Sequence, residues 1–262
     1  MDMDGRTVLV TGGTSGTGLR AAERFLAKGA NVVINGRDPG RGRQALAGLR
    51  TVSEDAGTRT ELVLGDCAAY KVAAAAVAAA VERFGGVDVL VSAGATGRGD
   101  PKPFAEMTPE EVTGGLESRY RARMFPVHAA IPHLRGREGA NIVLLTTDAA
   151  RHTTVGESVI GAYAAGIIQL TKSLGRELSR ERIRVNAVSM TLTSETRSWE
   201  HIFGDDSFQS GLFGKAISKF PFGAPPTAGD VAEAVAFLAS PAASQITGQT
   251  LSVNGGLSFG GW

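Results

Sequence analysis

Hydrophobic positions along this chain follow two rhythms. Short continuous runs rich in Val, Ile and Leu occur in "RTVLVTGG", "NVVING", "TELVLGD", "VDVLVSAG", "ANIVLLTT", "IRVNAVS" and "GQTLSVNGG". Each run predicts a strand buried on both faces. Between them lie helix patterns: "GLRAAERFLAKGA" closed by Gly29, a stretch around 40–50, an alanine-rich segment ending at Phe84, regions near 109–134 and 158–179, and "GDVAEAVAFLAS". Strand followed by helix, repeated, predicts an α/β fold with a parallel sheet, helices on both faces and right-handed crossovers. Residues 190–228 break the rhythm. That irregular segment is longer than an ordinary connection and reads as a substrate lid or binding loop. No repeat or linker divides the chain, so residues 1–262 are expected to form one domain.

Composition narrows the possibilities by exclusion. With 27 basic and 26 acidic side chains, the net charge of +1 leaves no electrostatic footprint for nucleic acid, and no basic amphipathic stretch suggests a membrane surface. The longest apolar run, "VAAAAVAAAV" at 72–81, is too short to span a bilayer. A single cysteine, Cys67, rules out an internal disulfide, and Met1–Arg6 carries no apolar signal segment, so a cytoplasmic location is expected. A small molecule is the expected partner.

Candidate chemistry begins at "TGGTSGTG", Thr11–Gly18, which joins the first strand to the first helix. Glycines there permit a tight turn and close approach of a diphosphate to the helix N-terminus, with Gly12, Thr14, Ser15, Gly16 and Gly18 as the cradle. At the end of the second strand, where an NAD site would carry an acid for the ribose hydroxyls, the sequence reads Asn35-Gly36-Arg37. A guanidinium in that position suits the 2′-phosphate of NADP(H) and makes NAD(H) the weaker expectation. Arg37 as a solvated turn residue is the alternative.

The glycine spacing, Asp66 after the third strand, "SAG" after the fourth and "TGQTLSVNGG" near the end together resemble the short-chain dehydrogenase/reductase family over essentially the whole chain. The resemblance implies a Rossmann-like, doubly wound, seven-stranded parallel sheet in a three-layer single domain, and a homodimer or homotetramer built on the two long helices. It also implies that Asp66, with Cys67 beside it, meets the adenine, and that Ser92, Ala93 and Gly94 back the cofactor. In the family, two asparagines precede that Ala-Gly pair; here they read Val91 and Ser92.

The family's catalytic set is an Asn, a Ser, and a Tyr with a Lys four residues later. Gapless alignment of "TKSLGREL" and "RVNAVS" places the Tyr slot at Ile160 and the Lys slot at Ala164. The serine slot falls on Thr147, and the thirteen-residue step from it again lands on Ile160; the asparagine slot falls on Arg119. The Pro-Gly expected after "NAV" reads Met190-Thr191. Bringing a tyrosine from about 10 to about 7 takes about 4 kcal/mol, and neither Ile160 nor Ala164 can supply any part of it.

Other candidates surround this altered set. Tyr163 lies about 60° around the helix from position 160, within reach of the pocket, while Lys172 points to the opposite face. Tyr163 as packing at a helix interface is the alternative. Arg119 can hold an enolate, carboxylate or phosphate or a developing oxyanion, or else form an interface salt bridge alongside Arg121 and Arg123. Thr147 keeps a hydroxyl that can orient a carbonyl. Asp148, His152 and Glu157 follow in the loop that borders the substrate in the family, with His152 the natural acid or base near neutral pH. Trp199, Phe203, Phe208, Phe213, Phe220 and Phe222 make residues 190–228 either an apolar cover over a hydrophobic or polycyclic ligand or a satellite core. No metal site is expected.

Three functions fit these residues. One is an NADP(H)-dependent reductase working without the usual Tyr/Lys dyad. Another is a non-redox isomerase, dehydratase or cyclase on the same scaffold. The last is a catalytically silent binding subunit.

Overall fold

A computed structural model describes residues 3–94, 101–204 and 208–259. Strands and helices alternate as β1 (Thr7–Thr11), α1 (Gly16–Ala27), β2 (Asn31–Gly36), α2 (Pro39–Leu49), β3 (Thr60–Leu64), α3 (Tyr70–Phe84), β4 (Val89–Ser92), α4 (Pro109–Leu134), β5 (Asn141–Thr147), α5 (Ser158–Glu177) and β6 (Arg184–Met190). Then come α6 (Arg197–Ile202), α7 (Phe208–Ile217), α8 (Ala228–Ala239) and β7 (Thr250–Val253). The seven strands form one parallel sheet in the order β3-β2-β1-β4-β5-β6-β7. This is the doubly wound Rossmann-like arrangement, and its strand order reverses between β1 and β4, where such sheets open a ligand crevice.

The continuous apolar runs are explained by a core on each face of the sheet. Val8 and Val10 pack into one core with Phe25 and Leu26 of α1, Ala45 of α2 and Val231 of α8. Leu9, between them, faces the other core with Ala76 of α3, Ala130 of α4 and Ile167 of α5. Side chains alternate across a strand, so a central strand needs apolar residues at every position once both faces are covered.

Residues 190–228 are more regular than their pattern suggested. Two helices, α6 and α7, lie within them. Thr196 starts α6 by accepting a hydrogen bond from the Trp199 amide at 3.2 Å, a local cap that overrides the weak periodicity of so short a helix. Ser194 then bridges to Thr227, closing the base of the segment.

Candidate active site

A cavity of about 520 Å³ opens at the crevice between β1 and β4 and extends across the ends of β5 and β6. Its nucleotide end is largely backbone. Gly12 adopts φ +70°, and a side chain there would collide with Ala93 and Gly94; a Cβ on Gly18 would run into the Gly12 carbonyl. The turn therefore closes tightly only with glycine at both positions. Ser15 precedes α1 without capping it through its side chain, which leaves the first amides of the helix for an anion. Thr14, Ser15, Gly16, Ala93 and Gly94 also line this end.

Arg37 lies 3.9 Å from Asp66, both side chains nearly half exposed, where adenine and ribose would sit. Two further guanidiniums join them on the wall, Arg41 and, from α6, Arg197. A carboxylate is present after all, at Asp38. It caps α2 through the Arg41 amide at 2.8 Å and pairs with the Arg41 guanidinium at 3.2 Å, contacts that hold its carboxyl below the usual range. On this wall Arg37, Arg41 and Arg197 thus face Asp38 and Asp66.

Two residues expected in the cradle have other work. Ser92 is fully buried beneath it and donates to the Arg123 carbonyl at 3.0 Å. Cys67 reaches the wall, but its thiol bonds the Ala122 carbonyl at 3.7 Å and is pushed up to about 11 by burial. Pro126 lacks the N–H that would bond the carbonyl four residues earlier, at Ala122, so Cys67 supplies the missing donor.

The reaction end is built from side chains. Arg119, Arg123, Thr147, Glu157, Ile160 and Tyr163 share its wall. Ile160 lines this end of the cavity. Ala164 instead is completely buried below the cavity, its carbonyl accepting from Thr146 Oγ1 at 3.2 Å. Thr147 is half-buried, and its hydroxyl accepts from the Ala149 amide at 3.4 Å. Tyr163 serves both as wall and as packing: its ring meets Tyr120 edge-on at 6.3 Å, and the Arg119 guanidinium lies 5.5 Å from its centroid.

His152, by contrast, is exposed and stands outside the cavity wall. Asp148 is buried and turned toward the C-terminal end of the sheet, where Ser189, Asn254 and Ser258 donate to it at 2.6, 2.6 and 2.8 Å. It ties β5 to β6 and to the turn after β7. The loop residue that does reach the cavity is Glu157. Burial pushes its carboxyl up from the ordinary value; a Thr154 hydrogen bond and the charge of Arg119 partly oppose the shift.

Sequence reasoning also passed over Arg123. It entered only beside Arg121, as part of a possible interface salt bridge around Arg119, but the two diverge on the helix. Arg121 pairs with Glu117 on the outside of α4, while Arg123, four residues after Arg119 and therefore on the same face, is only 7% exposed. Its Nε donates to the Leu145 carbonyl at 2.7 Å. Burial lowers its pKa, with nearby Tyr163 opposing the shift. The Arg-x-x-x-Arg spacing was the available signal; which arginine the sheet end would cover was not visible along the chain.

Both readings of the aromatic segment find support in particular residues. Trp199 packs on Phe203 with the rings tilted and their centroids 4.4 Å apart, and Trp199 and Phe213 line the cavity. Phe220 is buried against Gly255, and Phe222 is 83% exposed.

Comparison with known proteins decides the family. A family model described as enoyl-(acyl carrier protein) reductase matches residues 12–258. The chain belongs to the short-chain dehydrogenase/reductase family. A putative ketoacyl reductase of Streptomyces coelicolor is 33% identical over 260 residues, covering 97% of each chain. A 2,3-dihydroxy-2,3-dihydro-p-cumate dehydrogenase of Pseudomonas putida is 29% identical over 260 residues, covering 98% of this chain and 95% of its own. Among solved structures, an NADPH-bound short-chain oxidoreductase of Pseudomonas aeruginosa, described as containing an atypical catalytic center, superposes with a TM-score of 0.88 at 30% identity, over 98% of both chains. Members of this family use nicotinamide cofactors, and the short-chain dehydrogenase/reductase fold accounts for every strand above.

No helix among the described residues is long and apolar enough to cross a membrane, and no cluster among them has the makings of a metal site.

Proposed function

We propose that this protein is an NADP(H)-dependent reductase that polarises a carbonyl or activated double bond with arginine and threonine in place of the Tyr/Lys dyad. The observation that carries this reading is the continuity of one cavity from the glycine cradle to Thr147, Arg119 and Glu157. A dinucleotide suits the cradle because Gly12 and Gly18 let the turn close tightly on β4 and α1 offers amides that the Ser15 side chain does not cap. Arg37, backed by Arg41 and Arg197, favours the 2′-phosphate, as does the NADPH carried by the Pseudomonas aeruginosa relative.

When bound, NADPH supplies a hydride to the acceptor carbon and leaves as NADP⁺, while the π electron pair moves to oxygen and is protonated there. The Thr147 hydroxyl donates to the acceptor oxygen and orients it, and Arg119 meets the negative charge that develops on it. Glu157 delivers the proton, since its buried carboxyl retains a proton to higher pH than an exposed one. Tyr163 holds the Arg119 guanidinium over its ring face. Residues 190–228 act as the lid, with Trp199 and Phe213 presenting an apolar surface to a hydrophobic acceptor. Cytoplasmic location and assembly into a homodimer or homotetramer through α4 and α5 go with this reading.

Single-turnover mixing of the protein with NADPH deuterated at C4 and a panel of quinones, enones and activated ketones tests it. Transfer of deuterium to one acceptor class is expected. Tight NADPH binding with no deuterium lost to any acceptor would favour a second reading, a non-redox enzyme, which Ile160 on the wall and Ala164 below it already keep open.

A further inference from the structure

Arg123 poses an electrostatic problem that the fold leaves unsolved. It is 7% exposed, and among the described residues no carboxylate forms an ion pair with it. The Leu145 carbonyl satisfies one nitrogen, at 2.7 Å. The other groups acting on its charge are a phenol, Tyr163, a thiol, Cys67, and a second guanidinium, Arg119, which repels it. Taking a cation out of water without an anionic partner is expensive, and placing two guanidiniums on one helix face toward one cavity adds to the cost. Glu157 faces the same space and interacts electrostatically with Arg119, but it is one carboxylate against two guanidiniums. The reaction end therefore sets Arg119 and Arg123 against Glu157, on a wall that also carries the apolar side chains of Ile160 and Trp199. The cradle at α1 and the Arg37 cluster account for the dinucleotide's phosphates at the opposite end, so they do not answer Arg123.

We infer that Arg119 and Arg123 form an anion subsite for a substrate carboxylate, making the acceptor a carboxylate-bearing carbonyl or enoyl compound with an apolar body. This inference rests on the reductase reading for the word acceptor, but the subsite itself can be tested without turnover. A guanidinium pair spaced one helical turn apart can offer parallel N–H groups to a planar carboxylate, and a low-dielectric wall strengthens that contact. The carboxylate does not react. It supplies the missing counter-charge and fixes the unsaturated carbon beside Thr147.

The experiment is calorimetric titration of the NADPH-saturated protein with benzoate and with benzamide, which share shape and differ in charge. Benzoate is expected to bind at least 10-fold more tightly, with Arg123→Met reducing the ratio to near 1. Arg119→Gln, nearer the open cavity, should cut the same ratio severalfold and serves if Arg123→Met does not fold. Equal binding of the two probes by the wild-type protein overturns the subsite, as does a preference that survives both substitutions. A benzoate preference without deuterium transfer would overturn the reductase reading and leave the subsite standing; deuterium transfer to neutral acceptors with no benzoate preference would do the reverse.

Discussion

The two ends of the cavity are made of different materials. At the nucleotide end, backbone amides of the turn into α1 and the glycines at 12, 16 and 18 do the shaping, and charged side chains stand around the rim. At the reaction end the backbone recedes, and Arg119, Arg123, Thr147, Glu157 and Tyr163 project inward from α4, β5, α5 and the residue before α5. A backbone site tolerates few changes because no rotamer can relieve a collision. A site of side chains can be rebuilt by moving a charge from one helix to another; here the cations lie on α4, at Arg119 and Arg123.

The sharpest way to break this contrast is Gly18→Ala, because the added methyl meets the Gly12 carbonyl and must open the turn. NADPH binding measured by fluorescence should fall 100-fold or more, about 3 kcal/mol, while the benzoate preference of the apoprotein persists. Equal loss at both ends would show that they are not separable.

Of comparable size is the effect of Glu157→Gln at the reaction end. Removing a general acid is expected to slow the acceptor step about 10²- to 10⁴-fold with NADPH affinity unchanged, as read by single-turnover absorbance. A slowing below threefold would hand the proton to Tyr163 or to solvent.

Arg37→Ala sharpens the other side. Losing a charge-assisted contact with the 2′-phosphate should weaken NADPH by about 10- to 100-fold and leave NADH nearly unaltered. Equal weakening of both nucleotides would mean that Arg37 serves the adenine or the Asp66 pair.

The smallest expected effect concerns stability against pH. Burial raises the Glu157 carboxyl above its ordinary 4.5, so the folded chain holds this proton more tightly than the unfolded chain. Its stability contribution is complete below about 4.5 and is lost as pH rises through the raised value. Glu157→Gln, which cannot ionise, should therefore melt slightly above the wild type at pH 7. The gap should close as pH falls toward 4, measured by scanning calorimetry.

Legibility along the chain also differed between the ends. The glycine turn, Arg37 and Asp66 are contiguous features in a strand-turn-helix context, and the structure puts them on one wall. Cys67 reaches the same wall, but its bond to the carbonyl freed by Pro126 was hidden because that partner lies far along the chain. His152 drew notice for its pKa, yet exposure leaves it outside the cavity, and Glu157, three residues before Ile160, takes the position facing the site. The weak periodicity of residues 190–228 concealed α6 because a six-residue helix depends on its Thr196 cap more than on an apolar stripe.

The sequence by itself determined the sheet, its parallel sense, the glycine turn into α1 and the absence of Tyr and Lys at positions 160 and 164. Those are matters of local pattern: strand period, turn chemistry and residue identity at fixed spacing. Only the tertiary structure decided that Arg123 is enclosed while Arg121 is not, that Asp148 is spent on holding the C-terminal end of the sheet, and that Glu157 and Tyr163 face the same space as Arg119. Burial and pairing depend on which distant elements cover a residue, and a charge acquires its energetic meaning only from those neighbours.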